Sequence, residues 1–351
     1  MDASLATDRA RGRGRVAATG PRSGDGARER TDAGVVPRRD LVPGRPGARH
    51  RCGPGLAVGH PSPTRLDRTE PPMLIDVNGL ELWVEDHPPS SAGLHEVPIL
   101  LLSGSDATTL RWPPALIDAL SNARHRVVAF DPRDCGASTK IDPDTPYRLD
   151  ALAADALGVL DVLGIARAHV VGYSMGGAVA QVLAFDAPER VATLTLVSTT
   201  PGLGDDRLPF ASDWFVERMT ERLFAAPPRT TDERIAWIVD LYRLLAGTRH
   251  PFDEEGQRAL AAAELERCWY PESGHGLAVG ASPSRLDRLG EIGAPTLVIH
   301  GSADPVFAPA HGHALTAGIP DARLVTIDGL GHEVSAQDLA SLLLAHVAHF
   351  S

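Results

Sequence analysis

Residues 170–177 read Val-Val-Gly-Tyr-Ser-Met-Gly-Gly, a G-x-S-x-G pattern centred on Ser174. An apolar run precedes it and a helical pattern follows, so the serine is expected on a sharp strand-to-helix turn that exposes its hydroxyl. Gly172 and Gly176 stand where neighbouring backbone must pass closely. A serine hydroxyl is a weak nucleophile until a base takes its proton, and an imidazole does this best when a carboxylate fixes its tautomer. Two further stretches offer these groups. Asp304, in His300-Gly-Ser-Ala-Asp304-Pro, follows the apolar run 295–300, and His332, in Leu330-Gly-His332-Glu, follows the run 322–327. Serine, acid, histidine, each just past a strand, is the order expected of partners to such a turn. The set predicts acyl transfer with Ser174 as nucleophile, His332 as general base and Asp304 as the orienting carboxylate.

A tetrahedral intermediate also needs donors for its oxyanion. The backbone amide of Met175, directly after the nucleophile, is one candidate. By position, the amide of Ser105 in the loop Ser103-Gly104-Ser105-Asp106 is the other. Asp106 is an oddity there, because a carboxylate opposes a developing negative charge. It is expected to point away, to pair with a cation such as Arg133, or to contact substrate. Rival readings stand beside each assignment. Asp304 could merely cap the turn before Pro305. His300, His311 and His313 compete with His332 for the role of base, although His300 is expected beneath the loop and the other two on a helix, facing solvent or a neighbour. No metal site is expected from these histidines. Arg133 and Asp134 are expected to tie neighbouring loops together, and Cys135 has no histidine in sequence reach that would make it a nucleophile.

The elements that would position these groups are legible as alternating patterns. Residues 73–86 alternate apolar and polar around Asn78-Gly79, which predicts a hairpin. Short apolar runs at 98–104, 126–131, 168–172, 191–197, 295–300 and 322–327 suit strands buried on both faces, alternating with helical patterns such as 113–123, 149–163, 175–187 and 339–349. This predicts an α/β fold with a mostly parallel eight-stranded sheet covered on both sides. The alternation breaks once, at about 201–290, where helical patterns recur at 214–224, 231–245 and 257–267. That segment holds 9 of the 17 aromatic residues and is expected to form a helical cap. Trp214, Trp237 and Trp269 are candidates to line an apolar substrate pocket, and His275 is a candidate polar contact. The alternatives are that the aromatics form the cap's own core and that His275 sits in a loop without a role.

The chain from about 74 to 350 resembles the α/β-hydrolase superfamily, and within it the aclacinomycin methylesterase-like carboxylesterases. The likeness rests on Leu80-Glu-Leu-Trp83, Ser103-Gly-Ser-Asp-Ala-Thr-Thr-Leu-Arg-Trp-Pro113, Phe130-Asp-Pro-Arg-Asp-Cys-Gly-Ala-Ser138, Ala168-His-Val-Val-Gly-Tyr-Ser-Met-Gly176, Pro251-Phe-Asp253, Pro295-Thr-Leu-Val-Ile299, His311-Gly-His-Ala-Leu315 and Gly329-Leu-Gly-His332. Ser103-Gly104 departs from the His-Gly that the superfamily often carries before the oxyanion loop. The resemblance implies a cofactor-independent serine hydrolase that cleaves a carboxylic ester, as such enzymes remove a methyl ester from an anthracycline polyketide. Enol-lactone, carbon–carbon or amide hydrolysis with the same three residues is the alternative, followed by a non-catalytic, ligand-binding member of the fold.

Composition bounds the remaining choices. The chain has 351 residues, 43% hydrophobic and 23% charged, with a net charge of −11. No apolar run is long enough for a transmembrane helix, and the acidic balance argues against nucleic acid as a partner. The average hides a division. Residues 1–72 contain 14 Arg against 8 acids, 11 Gly, 9 Pro and no Phe, Trp or Tyr. That composition predicts a disordered extension, and translation is expected to start at Met73, where folded patterning begins. The apolar stretch of a secretory signal is missing, early acids speak against an organelle-targeting peptide, and interspersed acids dilute a nucleic-acid-binding arm. Three scattered cysteines make no disulfide framework or zinc site, so a reducing, cytoplasmic setting is expected. The expected partners are a small-molecule ester and water, with no membrane.

Overall fold

The computed structural model describes residues 72–90 and 97–350. The extension expected over 1–72 therefore lies outside the described residues, apart from Pro72. Strands β1 (Met73–Val77) and β2 (Leu80–His87) form the expected hairpin, pairing Val77 with Leu80 and Met73 with Val84. Asn78 and Gly79 both have positive φ, 55° and 79°, the left-handed pair that joins twisted antiparallel strands in two residues.

The other strands are β3 (Ile99–Leu102), β4 (Val127–Phe130), β5 (Ala168–Tyr173), β6 (Val191–Val197), β7 (Thr296–Gly301) and β8 (Ala322–Ile327). They complete one eight-stranded sheet in the order β1-β2-β4-β3-β5-β6-β7-β8, antiparallel only where β2 meets β1 and β4. Every residue of β3, β4, β5, β6 and β7 is buried, which explains their unbroken apolar runs. Successive side chains still part to opposite faces. Leu100, Leu102, Val170 and Leu194 pack with Leu152, Ala156 and Leu160 of α2 (Leu149–Val162) and with Leu183 of α3 (Met175–Asp186). Ile99, Leu101, Val171 and Ile299 pack with Leu116 and Leu120 of α1 (Pro114–Asn122) and with Leu339 and Leu343 of α9 (Ala336–Val347). Each such fully buried leucine contributes about 1.5–3 kcal/mol, so the two faces together hold the strand ends rigidly.

Between β6 and β7 the chain forms α4 (Asp213–Phe224), α5 (Thr231–Leu245), α6 (Glu254–Arg267) and α7 (His275–Ala281). The last helix was not expected from the sequence, because Gly274, Gly276 and Gly280 mask its pattern. Helix α8 (Pro309–Gly318) connects β7 to β8. No helix among the described residues is long and apolar enough to cross a membrane. Cys135 is a free buried thiol.

Candidate active site

The loops that follow β3, β5, β7 and β8 bring the predicted residues together. Ser174 sits between β5 and α3 with φ 54° and ψ −117°, a conformation that side chains rarely adopt. The surroundings compel it. Its amide donates to Val197 O at 3.0 Å, and its carbonyl accepts from Thr199 Oγ1 at 2.6 Å. A Cβ on Gly176 would fall against the carbonyl oxygens of Leu102 and Ser103, and one on Gly172 against Gly176 O, so only glycine fits at either place.

His332 lies on the loop after β8. Its Nε2 is 2.9 Å from Ser174 Oγ, and its Nδ1 is 2.8 Å from Asp304 Oδ2. The other oxygen of Asp304 accepts from the amides of Val306 and Phe307, each at 2.9 Å. Burial alone would raise this carboxyl, but His332 and the Phe307 amide outweigh it and hold it below its ordinary value. Ionised Asp304 can only accept, so Nδ1 of His332 carries the proton and Nε2 is left to accept from the serine. The imidazole is further fixed by the ring of Tyr173 at 5.3 Å and that of Phe307 at 5.5 Å. Tyr173 also donates to His332 O at 2.9 Å, and the His332 amide to Leu245 O at the end of α5 at 2.7 Å. Tyr173 lies inside the serine motif, yet nothing in the sequence marked its second role.

Met175 follows the serine directly, and Gly104, the residue before Ser105, packs against Tyr173 and Ser174. Met175 N–H opens α3, where first-turn amides have no helical partner and the helix dipole favours negative charge. Gly104 keeps the Ser105 loop close, since a Cβ there would sit 3.4 Å from Ser174 Cβ. A hydroxyl, an imidazole able to take its proton and a buried carboxylate in one hydrogen-bonded line can activate the serine for acyl transfer.

The profile of the alpha/beta hydrolase fold family matches residues 97–339. This chain belongs to the α/β-hydrolase family. It is 33% identical over 299 residues to the rhodomycin D methylesterase DnrP of Streptomyces peucetius, covering 79% of this chain and 98% of that protein. It is 30% identical to a hydrolase of known structure from Pseudomonas aeruginosa, with a TM-score of 0.59 over 81% of this chain and 98% of that one. An enol-lactonase from Burkholderia xenovorans is 27% identical, with a TM-score of 0.58 over 79% and 99%.

The rest of the hydrolase's expected site is arranged differently from the sequence expectation. Asp106 does not pair with Arg133. Its carboxylate is 65% exposed and lies 3.3 Å from Nδ1 of His275. Arg133 instead forms two 2.6 Å bonds to buried Asp155 of α2. Asp134 accepts from Tyr147 Oη at 2.6 Å and from the Gly274 amide at 3.0 Å, so this pair does tie loops together. His275 is not a loop residue. It opens α7 and is fully buried. His311 is buried rather than solvent-facing, bonded to Thr200 Oγ1 and Pro209 O at 2.9 Å each, while His313 is exposed. His300 is buried as expected and donates to Phe307 O at 2.7 Å. The histidine that bonds the nucleophile is His332 and none of these three.

Of the three tryptophans, Trp237 lies under Arg222 at 4.1 Å and Trp269 under Arg234 at 5.5 Å, both arginines being from the inserted segment itself. Trp214 is exposed beside Phe215. Asp106, Cys135 and His275 bring one possible metal-binding atom each within 4.8 Å of one another. The set fits a cation poorly: burial pushes the Cys135 thiol up, and both ring nitrogens of His275 already have partners.

Proposed function

We propose that this hydrolase releases a small alcohol, methanol foremost, from a carboxylic ester with an apolar acyl part, through an acyl-enzyme on Ser174. The unbroken hydrogen-bonded line from Ser174 Oγ through His332 to Asp304 carries the reading. Ser174 Oγ attacks the carbonyl carbon as its proton passes to Nε2 of His332. Asp304 stabilises the imidazolium through Nδ1–H and keeps its own charge. The amides of Met175 and Ser105 hold the oxyanion. Collapse of the intermediate expels the alkoxide, which takes the proton from Nε2. Water enters, loses a proton to the same nitrogen, attacks the acyl carbon, and the carboxylic acid leaves as Ser174 regains its hydrogen.

The alcohol half is argued from the rhodomycin D methylesterase, which this chain matches along nearly its whole length. The inserted helices, about 201–290, act as the cap, with Trp214 and Asp106 the substrate contacts that keep exposed side chains. Hydrolysis of p-nitrophenyl acetate, of methyl esters of polycyclic acids, of an enol-lactone and of a vinylogous diketone tests this reading. Methyl esters should turn over most efficiently, and Ser174→Ala should lose the activity. Full activity in Ser174→Ala overturns the mechanism, and preferred turnover of the lactone or diketone overturns the substrate class.

A further inference from the structure

The loop that carries Ser105 is poorly held by its own residues. Asp106 has φ 57°, in the left-handed region, and the turn it helps form is closed by a long bond, Ala107 N to Gly104 O at 3.4 Å. Ser105 and Asp106 are both exposed. Beyond that long turn bond, no local hydrogen bond sets the plane of the peptide between them.

One distant group does. The Asp106 amide donates to Nδ1 of His275 at 2.9 Å, and Nε2 of the same ring lies 2.8 Å from Arg133 O. An amide can only donate and a carbonyl only accept, so these two bonds put the ring proton on Nε2 and the lone pair on Nδ1, and the Asp106 carboxylate 3.3 Å from Nδ1 is a neighbour and not its hydrogen-bond acceptor. Arg133 is itself locked to Asp155 of α2. The ring packs edge-on to Tyr147, and its own amide donates to Ser273 Oγ at 3.2 Å. A rigid line therefore runs from the sheet-packing helix α2, through α7 of the inserted segment, to the amide next to Ser105.

We propose that His275 is a positioning residue for the oxyanion loop: its Nδ1 lone pair holds the Ser105–Asp106 peptide and, through the backbone of Ser105, the neighbouring Gly104–Ser105 peptide whose N–H faces the carbonyl attacked by Ser174. The inference rests on Ser105 acting as an oxyanion donor. Loss of a whole donor costs about 10²–10³ in kcat, so a donor left in place but no longer aimed should cost about tenfold or more.

The test compares three substitutions with p-nitrophenyl acetate as substrate. His275→Phe keeps the ring and removes both bonds; His275→Asn restores an acceptor near the Nδ1 position without the donor at Nε2; His275→Gln carries its acceptor too far out. His275→Phe should lower kcat about tenfold or more with KM within about twofold, and His275→Asn should bring kcat back within about threefold of the parent. If the Phe variant fails to fold, the Asn and Gln variants carry the comparison, with kcat high in Asn and low in Gln. Equal kcat in Asn and Gln, or an unchanged kcat in folded His275→Phe, overturns the proposal. Its failure is separable from that of the proposed function: a parent enzyme without Ser174-dependent hydrolysis defeats the mechanism, whereas Ser174-dependent hydrolysis indifferent to position 275 defeats only this inference.

Discussion

The two sides of the site are built by different means. On the acid side, Asp304 is fixed by backbone amides of its own turn, and His332 by Tyr173, Phe307 and one backbone bond to Leu245. On the oxyanion side, the loop from Ser103 to Pro113 is held by long-range side chains. His275 takes the Asp106 amide; Glu264 of α6 accepts from Thr108 Oγ1 at 3.0 Å and from Arg111 Nε at 3.0 Å; Arg267 donates to Thr109 Oγ1 at 2.7 Å. Arg111 also lies over the ring of Tyr242 on α5, 3.5 Å from its centroid. The proton-handling groups thus follow from the sheet and its turns, with the His332 loop braced by backbone bonds from the end of α5 and the residues after it, while the proposed oxyanion loop is held by side chains that the inserted helices carry. Such an arrangement lets side chains of the insertion vary, and with them the fit of substrate to the donors, while the backbone bonds that brace the His332 loop stay in place.

The largest effect should come from the acid side. Asp304→Asn turns the acceptor facing His332 Nδ1 into an NH₂ donor, forcing the proton to Nε2 where it cannot be taken from Ser174. The expected loss is about 10⁴-fold in kcat, the size such a change has in a serine protease triad. A pH dependence accompanies it. The Asp304 carboxyl lies below its ordinary 3.8 in the folded state, so the ionised group stabilises the fold above that pH and the contribution disappears as pH falls through the folded value. Urea midpoints of parent and Asp304→Asn should therefore converge as pH is lowered below the ordinary value. A gap that widens in acid would contradict the arrangement.

Next in size is the break on the oxyanion side. Glu264→Gln leaves the buried Arg111 guanidinium without its counter-charge, and removing one partner of such a pair costs about 3–5 kcal/mol of stability. Here kcat should fall by about tenfold through displacement of the loop. Denaturation and kinetics measured on the same preparation decide it. A loss as great as that of Asp304→Asn would mean that the two sides are not separable.

The same division governs what could be read from the chain. The hairpin at Asn78-Gly79, the buried strands and the order Ser174, Asp304, His332 all have local signatures: turn residues, apolar periodicity, glycines beside a nucleophile. Within the inserted segment that clarity ends. His275 meets Asp106 across 169 positions and Glu264 meets Arg111 across 153, with no repeat, spacing or composition to announce either contact. The sequence leaves His311 facing either solvent or a neighbour, with nothing to choose between them. Its burial comes from Thr200 and Pro209, distant segments that close over it. Periodicity reports which face of an element is covered. It does not report which polar side chain will be found there.

The smallest effect separates contact from helix stability within the insertion. Thr230 caps α5: its Oγ1 accepts from the Glu233 amide at 3.2 Å, while Glu233 Oε2 accepts from the Thr230 amide at 2.9 Å. Thr230→Ala removes half of this reciprocal cap and should cost about 1 kcal/mol. The far end of the same helix supplies Tyr242 beneath Arg111 and the Leu245 carbonyl that takes the His332 amide. These contacts lie three turns or more from the cap and are made in the folded state regardless of how well the first turn is satisfied. The urea midpoint should drop while kcat stays within about twofold of the parent. A larger fall in kcat would show that the first turn of α5 sets where its last turn stands, and that the inserted helices reach the acid side through helix rigidity as well as the oxyanion side through named side chains.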